Sequence, residues 1–593
     1  MLDPARLRAA YDSARSDLLA ARGAHGHWEG RLASSALATA TAVSSLAIVH
    51  REAGDESLQP LINAGVKYLA GQQNDDGGFG DTDKSHSNIA TTYLVIAALH
   101  LAKRESEYAS VLNNARRYIA NKGGIAGLKQ RYGIDKTFVV PIMTNLALAG
   151  LCDWKEISPL PFELACIPQS WYRFAQMPVV SYAIPALVAI GQAHYFHRKP
   201  WNPYSRIVRA LSVSRSMRVL RRMQPQSGGY LEATPLTSFV VMSLAATGRA
   251  DHEVTREGVK FIRDSMREDG SWPIDTNLAT WVTSLSINAL GEDGASEIDG
   301  RCWDWLLSCQ HKVRHPFTGA DPGGWGWTDL SGAVPDADDT PAALLALALG
   351  NSSNSWWKGL KDKEVHTAAR GGVVWLLGLQ NRDRGWPTFC RGWGKLPFDR
   401  SGTDLTAHVI RALHGWLPQW KQYARVTGPA GHQAKLLEKG ILSGFTFLAR
   451  NQNANGSWSP LWFGNQDHPE EDNPIYGTAK VLLAYRDTER MADPAAVRGL
   501  DWLARQQNAD GSFGSSVEET ALAAEGLISC PDRETYAAAV NRGLAWLVER
   551  VEAGEHRNSS PIGFYFAKLW YYEELYPLIF TVSTLRQACS LLT

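Results

Sequence analysis

The sequence predicts an all-α fold, a toroid of paired helices, and three observations support this. At 593 residues the chain exceeds what one compact core usually covers, so two domains or one very large closed helical array are expected. Apolar segments with helical spacing alternate with glycine turns, and strand signals with period two are scarce. Each helix, turn and helix forms a hairpin that needs neighbours to cover its apolar face, which favours a closed ring.

A short pattern recurs at the turns: a glutamine, residues rich in Asn, Asp or Glu, two small residues and an aromatic ring. Its copies are 73–79, 267–272 (which begins with Arg), 380–386, 452–458 and 507–513, with looser copies at 224–230 and 310–325. Their spacing is irregular, roughly 40 to 70 residues, which fits one or two helices per unit. We expect the glutamine to hydrogen-bond backbone of the turn or the next helix. The repeat tryptophans Trp272, Trp386 and Trp458 are therefore assigned to structure.

Composition excludes some classes of function. Lys plus Arg equals Asp plus Glu, at 60 each, so a nucleic-acid partner has no electrostatic support. The seven cysteines are dispersed, without metal-ligand spacing, and are expected to be buried thiols in a reducing compartment. The first ten residues lack the apolar core of a signal peptide, and no uninterrupted apolar run approaches bilayer length. We expect a cytoplasmic protein that at most lies on a membrane.

The segment Pro335-Asp-Ala-Asp-Asp-Thr340 places three carboxylates directly before an apolar helical run. One aspartate suffices to cap the helix N-terminus, which leaves two unexplained. Acids held close together cannot all ionise cheaply, so one is expected to keep its proton near neutral pH and to act as a Brønsted acid. Capping or calcium binding remains the alternative, because short acidic motifs often match by chance.

Asp404 and His408 stand four residues apart on a predicted helix and face the same way. An imidazolium beside a proton donor stabilises the carboxylate that the transfer leaves behind. Taken alone, a residue such as His408 is more often an ordinary helix histidine, and it is the sequence around it that favours a functional role.

The segment 159–203 is rich in proline and aromatic residues, and Asn202-Pro203 signals a new helix. That helix, through Met223, carries six arginines and no acid. A basic amphipathic helix indicates membrane-surface contact. A solvated outer helix of the toroid is the equally weighted alternative.

Glycine-aromatic repeats together with Asp-Ala-Asp-Asp-Thr resemble the squalene-hopene cyclase family, the class II triterpene cyclases with QW repeats and a DxDD motif. The resemblance covers most of the chain, from Trp28 to Tyr572. It implies two α/α barrels with the active-site cavity between them. Residues 1–30 would pack with the C-terminal barrel, 31–285 would form an inserted α-barrel, and 286–593 would form the catalytic α6/α6 barrel.

The resemblance also implies chemistry and site residues. Family members cyclise squalene without a metal or organic cofactor, starting by protonating a terminal double bond. By position, Asp338 looks like the proton donor, Asp336 and Asp339 its flanking carboxylates, and Asp404 and His408 its supports. Aromatic faces stabilise carbocations without bonding to them. The family's pocket aromatics correspond to Trp327, Trp281, Phe389, Trp462, Tyr476, Tyr565 and Tyr572, for which core packing is the alternative.

Several positions depart from the family pattern. Trp281-Val-Thr283 lacks an acid near the pocket, 34–41 lacks the acid that positions the terminating water, and 233–236 replaces Gln-Pro-Pro-Trp. Two tail aromatics become Pro561 and Leu569, and 465–474 is inserted. The residues expected to start the cyclisation are present, whereas those expected to end it are changed. The product and the final step therefore stay open.

Three other functions compete with a squalene cyclase. A cyclase of prenyl diphosphates shares the acid motif but needs a basic pocket, which the sequence does not reveal. A protein prenyltransferase subunit needs a zinc site of Asp, Cys and His, and no cysteine has an Asp two positions before it. A non-catalytic toroid does not explain the acids. Our expectation is a peripheral enzyme on the inner face of the membrane that acts on squalene, with the oligomeric state, a homodimer included, left open.

Overall fold

The structure is a computed structural model that describes residues 2–133, 137–353, 360–426, 428–514, 516–564 and 568–591. Its described part is helical, with three short two-stranded antiparallel sheets, so the predicted all-α fold class is confirmed. The sheets pair β1 (Ser34–Ser35) with β2 (Trp272–Pro273), β3 (Trp386–Pro387) with β4 (Ser401–Gly402), and β5 (Ile562–Phe564) with β6 (Leu569–Tyr571).

The helices of the first half are α1 Pro4–Ala20, α2 Ala36–Ala53, α3 Gln59–Ala70, α4 Ile89–Leu101, α5 Ala109–Asn121, α6 Gly124–Tyr132, α7 Val139–Leu148, α8 Gln169–Phe174, α9 Val179–His197, α10 Pro203–Met223, α11 Thr234–Leu244 and α12 Glu253–Asp264. Those of the second half are α13 Ala279–Ala295, α14 Gly300–Ser308, α15 Asp339–Ser353, α16 Leu360–Leu379, α17 Thr403–Val426, α18 Gly428–Arg450, α19 Pro474–Asp487, α20 Pro494–Arg505, α21 Val517–Ile528, α22 Ala537–Glu552 and α23 Tyr576–Ser590.

Two closed rings of helices organise these elements. In the C-terminal barrel α13, α15, α17, α19, α21 and α23 each contact the next, and α23 returns to α13. Outer helices cover this ring, and α1 is one of them, packed on α22 and α23 through Leu7, Tyr11 and Leu18. In the N-terminal barrel α2, α4, α7, α9 and α11 close a five-membered ring in the same way. The two α/α barrels predicted from the sequence are therefore present.

The glutamine-aromatic repeats fasten the rings. Gln452 donates from its amide to the carbonyls of Gly456 at 2.8 Å and of Ala495 in the next outer helix at 2.9 Å. The Trp458 indole donates to Leu448, ten residues back, while its backbone N–H donates to Thr478 of the next inner helix. The same amide bonds recur at Gln73, Gln224, Gln310, Gln380 and Gln507. One local motif thus joins an outer helix, a turn and an inner helix.

The inserted segment 465–474 links the barrels. Gln466 accepts the backbone N–H of His86, and Asp467 accepts from the imidazole of His86 at 2.7 Å. Glu471 pairs with Arg131 of the N-terminal barrel at 3.3 Å and with Lys568 at 2.8 Å. The insertion therefore works as a polar clasp across the junction.

Within the described residues α9 is the one helix long and apolar enough to cross a membrane by length and composition. It belongs to the inner ring of the N-terminal barrel, and 67% of its apolar window is buried by the protein. Its apolar character is accounted for by this packing.

Candidate active site

A repeat turn holds the acidic motif at the start of α15. The backbone N–H of Trp325 donates to the hydroxyl of Thr340 at 2.9 Å, and the N–H of Asp336 donates to the carbonyl of Trp325 at 3.0 Å. The N–H of Ala337 donates to Thr388 in the next repeat turn. Thr340, the last residue of the motif, is thus a repeat residue, and the fastening of the barrel also places the acids.

The three aspartates have different surroundings. Asp336 is the helix cap, because its carboxylate accepts the backbone N–H groups of Asp338 at 2.8 Å and Asp339 at 2.7 Å. Burial raises the pKa of Asp336 to about 7. Burial, and then the charge of Asp336, raises the pKa of Asp339 well above its usual range. Asp339 therefore keeps its proton at neutral pH, and the cluster avoids three adjacent charges.

Asp338 is the accessible member of the cluster. Asp336 and Asp339 are buried, whereas Asp338 keeps 20% of its side chain exposed. Its carboxyl lies 2.9 Å from Nδ1 of His408 on α17. Burial lowers the pKa of His408, while the bond and the charge of Asp338 raise it. A carboxyl that faces open space while an imidazole holds its other side is the geometry of a proton donor.

Asp404 lies one turn before His408 but is bonded elsewhere. Its carboxylate accepts the backbone N–H of Leu461 at 3.1 Å. Burial, and then the charge of Asp338, raises its pKa to about 7. In the described residues no hydrogen bond or ion pair joins Asp404 to His408. Asp404 therefore holds the turn before Trp462 through the N–H of Leu461, beside the helix turn that carries His408.

Aromatic rings line the junction beside the acid, and Phe389 lies at their centre. Its centroid is 6.4 Å from Trp327, 6.0 Å from Trp462 and 5.5 Å from Tyr182 of the N-terminal barrel. Trp462 donates to Thr388 at 2.6 Å and packs edge-on against Phe564. Rings from both barrels thus meet at one surface.

Trp281 and Tyr476 complete the surroundings of the acid. The Trp281 ring packs edge-on against His408 with centroids 5.9 Å apart. Tyr476 lies in the first turn of α19, is buried, and interacts electrostatically with Asp338 and Asp404. The structure therefore brings five of the seven predicted aromatics to two adjacent places. A sixth, Tyr565, lies outside the described residues.

The exception is Tyr572, for which the structure contradicts the prediction. Its hydroxyl donates to Asp83 at 2.9 Å and its ring lies under Lys84, away from the acid. Its neighbour Tyr571 is buried, with its hydroxyl 3.3 Å from that of Tyr576, and interacts electrostatically with Asp338. Tyr571 ends β6 and Tyr572 follows it, and successive residues of an extended chain face opposite sides, so a shift of one residue exchanged the two tyrosines.

Several groups near the site were missed by sequence reasoning. Tyr576 accepts the indole N–H of Trp281 at 3.0 Å. Lys480 is buried on α19, one turn after Tyr476. Asp275 and Glu232 lie close together: the backbone of Asp275 pairs with that of Ala233, and the carbonyl of Glu232 accepts the N–H of Thr276. Burial raises the pKa of both carboxyls. Burial therefore favours the neutral form of both carboxyls. In the sequence, only the helical spacing of Lys480 from Tyr476 could have indicated that this lysine lies near the site.

The described residues contain no group of three or more His, Cys, Asp or Glu side chains arranged to hold a metal ion. The carboxyls at the start of α15 are turned toward backbone N–H groups, one another and His408. Calcium binding, the alternative for the acidic motif, has no support from this arrangement.

Similarity to known proteins decides the family. Residues 11–224 match the squalene-hopene cyclase N-terminal domain, and residues 278–588 match the squalene-hopene cyclase C-terminal domain. The chain belongs to the squalene-hopene cyclase family. The resemblance seen in the sequence is confirmed, and members of this family are terpene cyclases.

Individual relatives of this chain are distant. It is 24% identical to the probable squalene–hopene cyclase of Sinorhizobium fredii over 92% of this chain and 88% of that protein. It is 24% identical to enfumafungin synthase of Hormonema carpetanum over 92% of this chain, and it spans 45% of that longer protein. The ent-copalyl diphosphate synthase of Streptomyces platensis has the same fold, with a TM-score of 0.57 at 18% identity over 98% of both chains.

Proposed function

We propose that this terpene cyclase protonates a terminal double bond of squalene with Asp338 and cyclises the resulting carbocation to a polycyclic triterpene. The accessible Asp338 carboxyl, bonded to His408 between two buried acids, is the observation that carries the proposal. An alkene is a very poor base, so its protonation needs a strong acid in a site that excludes water.

Each residue of the site has its own role in the proposed reaction. The O–H bond of Asp338 breaks as the alkene's electron pair forms a new C–H bond, and a tertiary carbocation remains on the substrate. The imidazole of His408 holds the Asp338 carboxylate that is left. Later double bonds then attack the cation in turn, and the faces of Trp327, Phe389 and Trp462 stabilise positive charge along the path. Burial favours the neutral form of Asp275 and Glu232, and neutral carboxyls capture a cation less readily than carboxylates would.

Squalene is favoured over a prenyl diphosphate by the character of the junction. Arg131 and Lys568, two cations at the contact of the barrels, are both paired with Glu471. A diphosphate would have to displace that carboxylate. The apolar, aromatic lining around Phe389 suits a hydrocarbon along its whole length.

The test incubates detergent-solubilised protein with squalene and, separately, with geranylgeranyl diphosphate, beside the Asp338→Asn variant. Products are identified by gas chromatography and mass spectrometry, after phosphatase treatment for the diphosphate. The proposal expects a cyclic product from squalene that disappears in the variant. A product with the same mass as squalene indicates that the reaction ends by proton loss, and a product heavier by one water indicates hydration.

Cyclisation of geranylgeranyl diphosphate alone would keep Asp338 as the acid and overturn the choice of squalene. Equal product from the parent and from Asp338→Asn would overturn the acid itself. The control variant is Asp75→Asn, which changes an exposed residue in a repeat turn distant in sequence from Asp338. It shows the effect of losing any one carboxylate.

We also propose that the enzyme docks on a membrane surface through an apolar face on α8, the end of α9 and α10. Phe174 is 92% exposed and Trp201 fully so. The other exposed large apolar side chains of this face are Ile167, Trp171, Phe196, Tyr204, Ile207, Val208 and Leu211. Patches of this size on a surface mark interaction sites, and a hydrocarbon substrate is stored in lipid.

The arginines of α10 contribute unequally to this face. Arg209 is buried and pairs with Glu163 at 3.3 Å, and Arg221 pairs with Glu253 at 2.7 Å. Exposed guanidinium groups remain on Arg206, Arg215, Arg218 and Arg222. They are available to anionic headgroups.

Sedimentation with vesicles of phosphatidylcholine and phosphatidylglycerol tests the docking. Changing Phe174 and Trp201 together to serine should release most of the protein, and Arg215→Glu with Arg218→Glu should release it at low salt. Trp393→Ser, at another exposed tryptophan, is the matched control and should sediment like the parent. Unchanged sedimentation of the Phe174 and Trp201 double variant would refute the docking face.

A further inference from the structure

A lysine lies inside the C-terminal barrel, beneath the acid. Lys480 is on α19, one turn after Tyr476, and is 8% exposed. Its ammonium group lies 5.3 Å from the centroid of Tyr476 and 5.4 Å from that of Phe580 on α23. A charged lysine is almost never buried unless something compensates for its lost hydration.

In the described residues nothing compensates for it by direct pairing. No hydrogen bond and no ion pair within 4.0 Å joins the Lys480 ammonium to another side chain. Deeper in the barrel the other charges pair among themselves: Arg411 with Asp487 at 2.6 Å, and Arg486 with Asp487 and Glu525. Among the described residues, Lys480 is left unpaired on α19, the ring neighbour of α17, whose His408 lies 2.9 Å from the carboxyl of Asp338.

We propose that Lys480 is a positioning residue for the cyclisation, a fixed cation whose field stabilises the carboxylate that forms on Asp338 as the alkene is protonated. The inference rests on the proposed function for its chemistry. When the Asp338 O–H bond breaks, its electron pair remains on the carboxylate, and a nearby buried ammonium lowers the free energy of that product. The Tyr476 and Phe580 faces keep the ammonium dry and in place.

The groups around Lys480 agree with this role. Burial lowers the pKa of Lys480, and the charge of Asp338 is the strongest influence that raises it again. The charges of Lys480 and Arg411 both lower the pKa of His408. The ionisable groups that act on Lys480 or share its surroundings are Asp338, Asp404, His408, Arg411, Tyr476 and Glu525.

If the cation strengthens the acid, its removal should slow the reaction more for a weakly basic substrate than for a more basic one. A terminal epoxide is protonated by a much weaker acid than an alkene is. Lys480→Met removes the charge at similar length and should lower kcat for squalene by about 30-fold. It should lower kcat for the terminal epoxide of squalene by less than about threefold, with KM unchanged for both. Lys480→Arg should restore most of the loss.

A second measurement needs no substrate. With labelled histidine, the imidazole pKa of His408 is followed by NMR, and its signal is identified by its absence in His408→Gln. Removing the Lys480 charge should raise that pKa by about one unit. Leu483→Met, a buried change on the same helix, is the control and should leave the His408 titration unchanged.

The outcomes separate the proposals. Equal losses of kcat on the alkene and the epoxide would show that Lys480 serves only packing and would overturn the inference. An unchanged His408 titration in Lys480→Met would overturn it as well. If the parent protein makes nothing from squalene, the proposed substrate fails, while the titration still decides the role of Lys480.

Discussion

The two barrels use the same hairpins and the same repeat bonds, and they differ in what they bury. The described part of 31–285 buries three Asp, Glu, Lys or Arg side chains, Asp81, Arg209 and Glu232. The described part of 286–593 buries nine: Asp336, Asp339, Asp399, Asp404, Lys480, Glu518, Glu519, Glu525 and Glu573. The polar groups in the N-terminal ring are mostly hydroxyls such as Thr39, Ser44, Thr91, Thr144 and Ser238.

This difference indicates that the N-terminal barrel mainly supports the structure, whereas the C-terminal barrel holds the groups of the proposed chemistry. Hydroxyls can bond to the carbonyl one turn back within their own helix, as Thr144 does with Val140 at 2.8 Å, so they cost little when buried. Buried charges must be compensated or neutralised, and each one costs stability. A barrel that buries nine of them, beside the accessible Asp338, holds groups that a scaffold does not need.

The largest expected effect contrasts two buried histidines. His408→Gln removes the imidazole that holds Asp338 and should lower cyclisation by about 10²-fold or more. His194→Gln changes an equally buried histidine in the N-terminal barrel, packed against Trp154, and should keep activity within about twofold. The measurement is the initial rate of both variants and of the parent with the preferred substrate. Equal losses in both variants would show that the barrels are not specialised.

The next contrast uses one repeat bond in each barrel. Thr340→Val removes the hydroxyl that accepts the N–H of Trp325, and Thr92→Val removes the one that accepts the N–H of Phe79 at 3.0 Å. Each leaves a buried N–H unpaired and should cost about 1–3 kcal/mol of unfolding free energy.

Only Thr340→Val should also lower kcat, by about tenfold, because only this bond places the acids. Thermal unfolding and initial rates of both variants are the measurements. A matching loss of kcat in Thr92→Val would mean that the repeat bonds act on activity through global stability.

The buried acids also predict how stability depends on pH. Burial raises the pKa of Glu573 to about 8, although its carboxyl accepts the N–H groups of Arg31 and Leu575. The folded state then binds a proton that the unfolded state has released above pH of about 4.5, so stability falls as pH rises from there to about 8. The loss is about 1.4 kcal/mol per pH unit for this one group.

Glu573→Gln removes this contribution and should flatten the fall of the thermal midpoint between pH 5 and 8. Glu574→Gln changes the exposed neighbour and should leave the slope of the parent. Parallel slopes for all three proteins would contradict burial as the source of the pH dependence.

The smallest expected effect distinguishes the neighbouring tyrosines after β5. Tyr571→Phe removes a hydroxyl beside Tyr576 within the site and should shift the product ratio by a few-fold. Tyr572→Phe removes the bond to Asp83, costs less than about 1 kcal/mol, and should leave the products unchanged. Gas chromatography of the products compares them. A shift in Tyr572→Phe alone would restore the original sequence assignment.

Much of the fold was accessible from sequence because its signals are local. The repeats read as hairpin turns, since glycine, glutamine and aromatic ring all act within one turn and its two helices. The acidic motif at 336–340 stood out because three acids exceed what a helix cap needs. The exchange of Tyr571 for Tyr572 arose because β6 has three residues, too few to show an alternating pattern.

The sequence by itself determined the helical hairpins, the family and the identity of the acidic motif, because spacing along the chain is enough to specify them. Only the tertiary structure decided which of the three aspartates caps the helix, which is buried beside that cap and which stays accessible. It also decided that Lys480 lies under the acid while most arginines of α10 face outward. Burial and its effect on charge depend on how helices from distant parts of the chain close into a ring, and no local pattern encodes that closure.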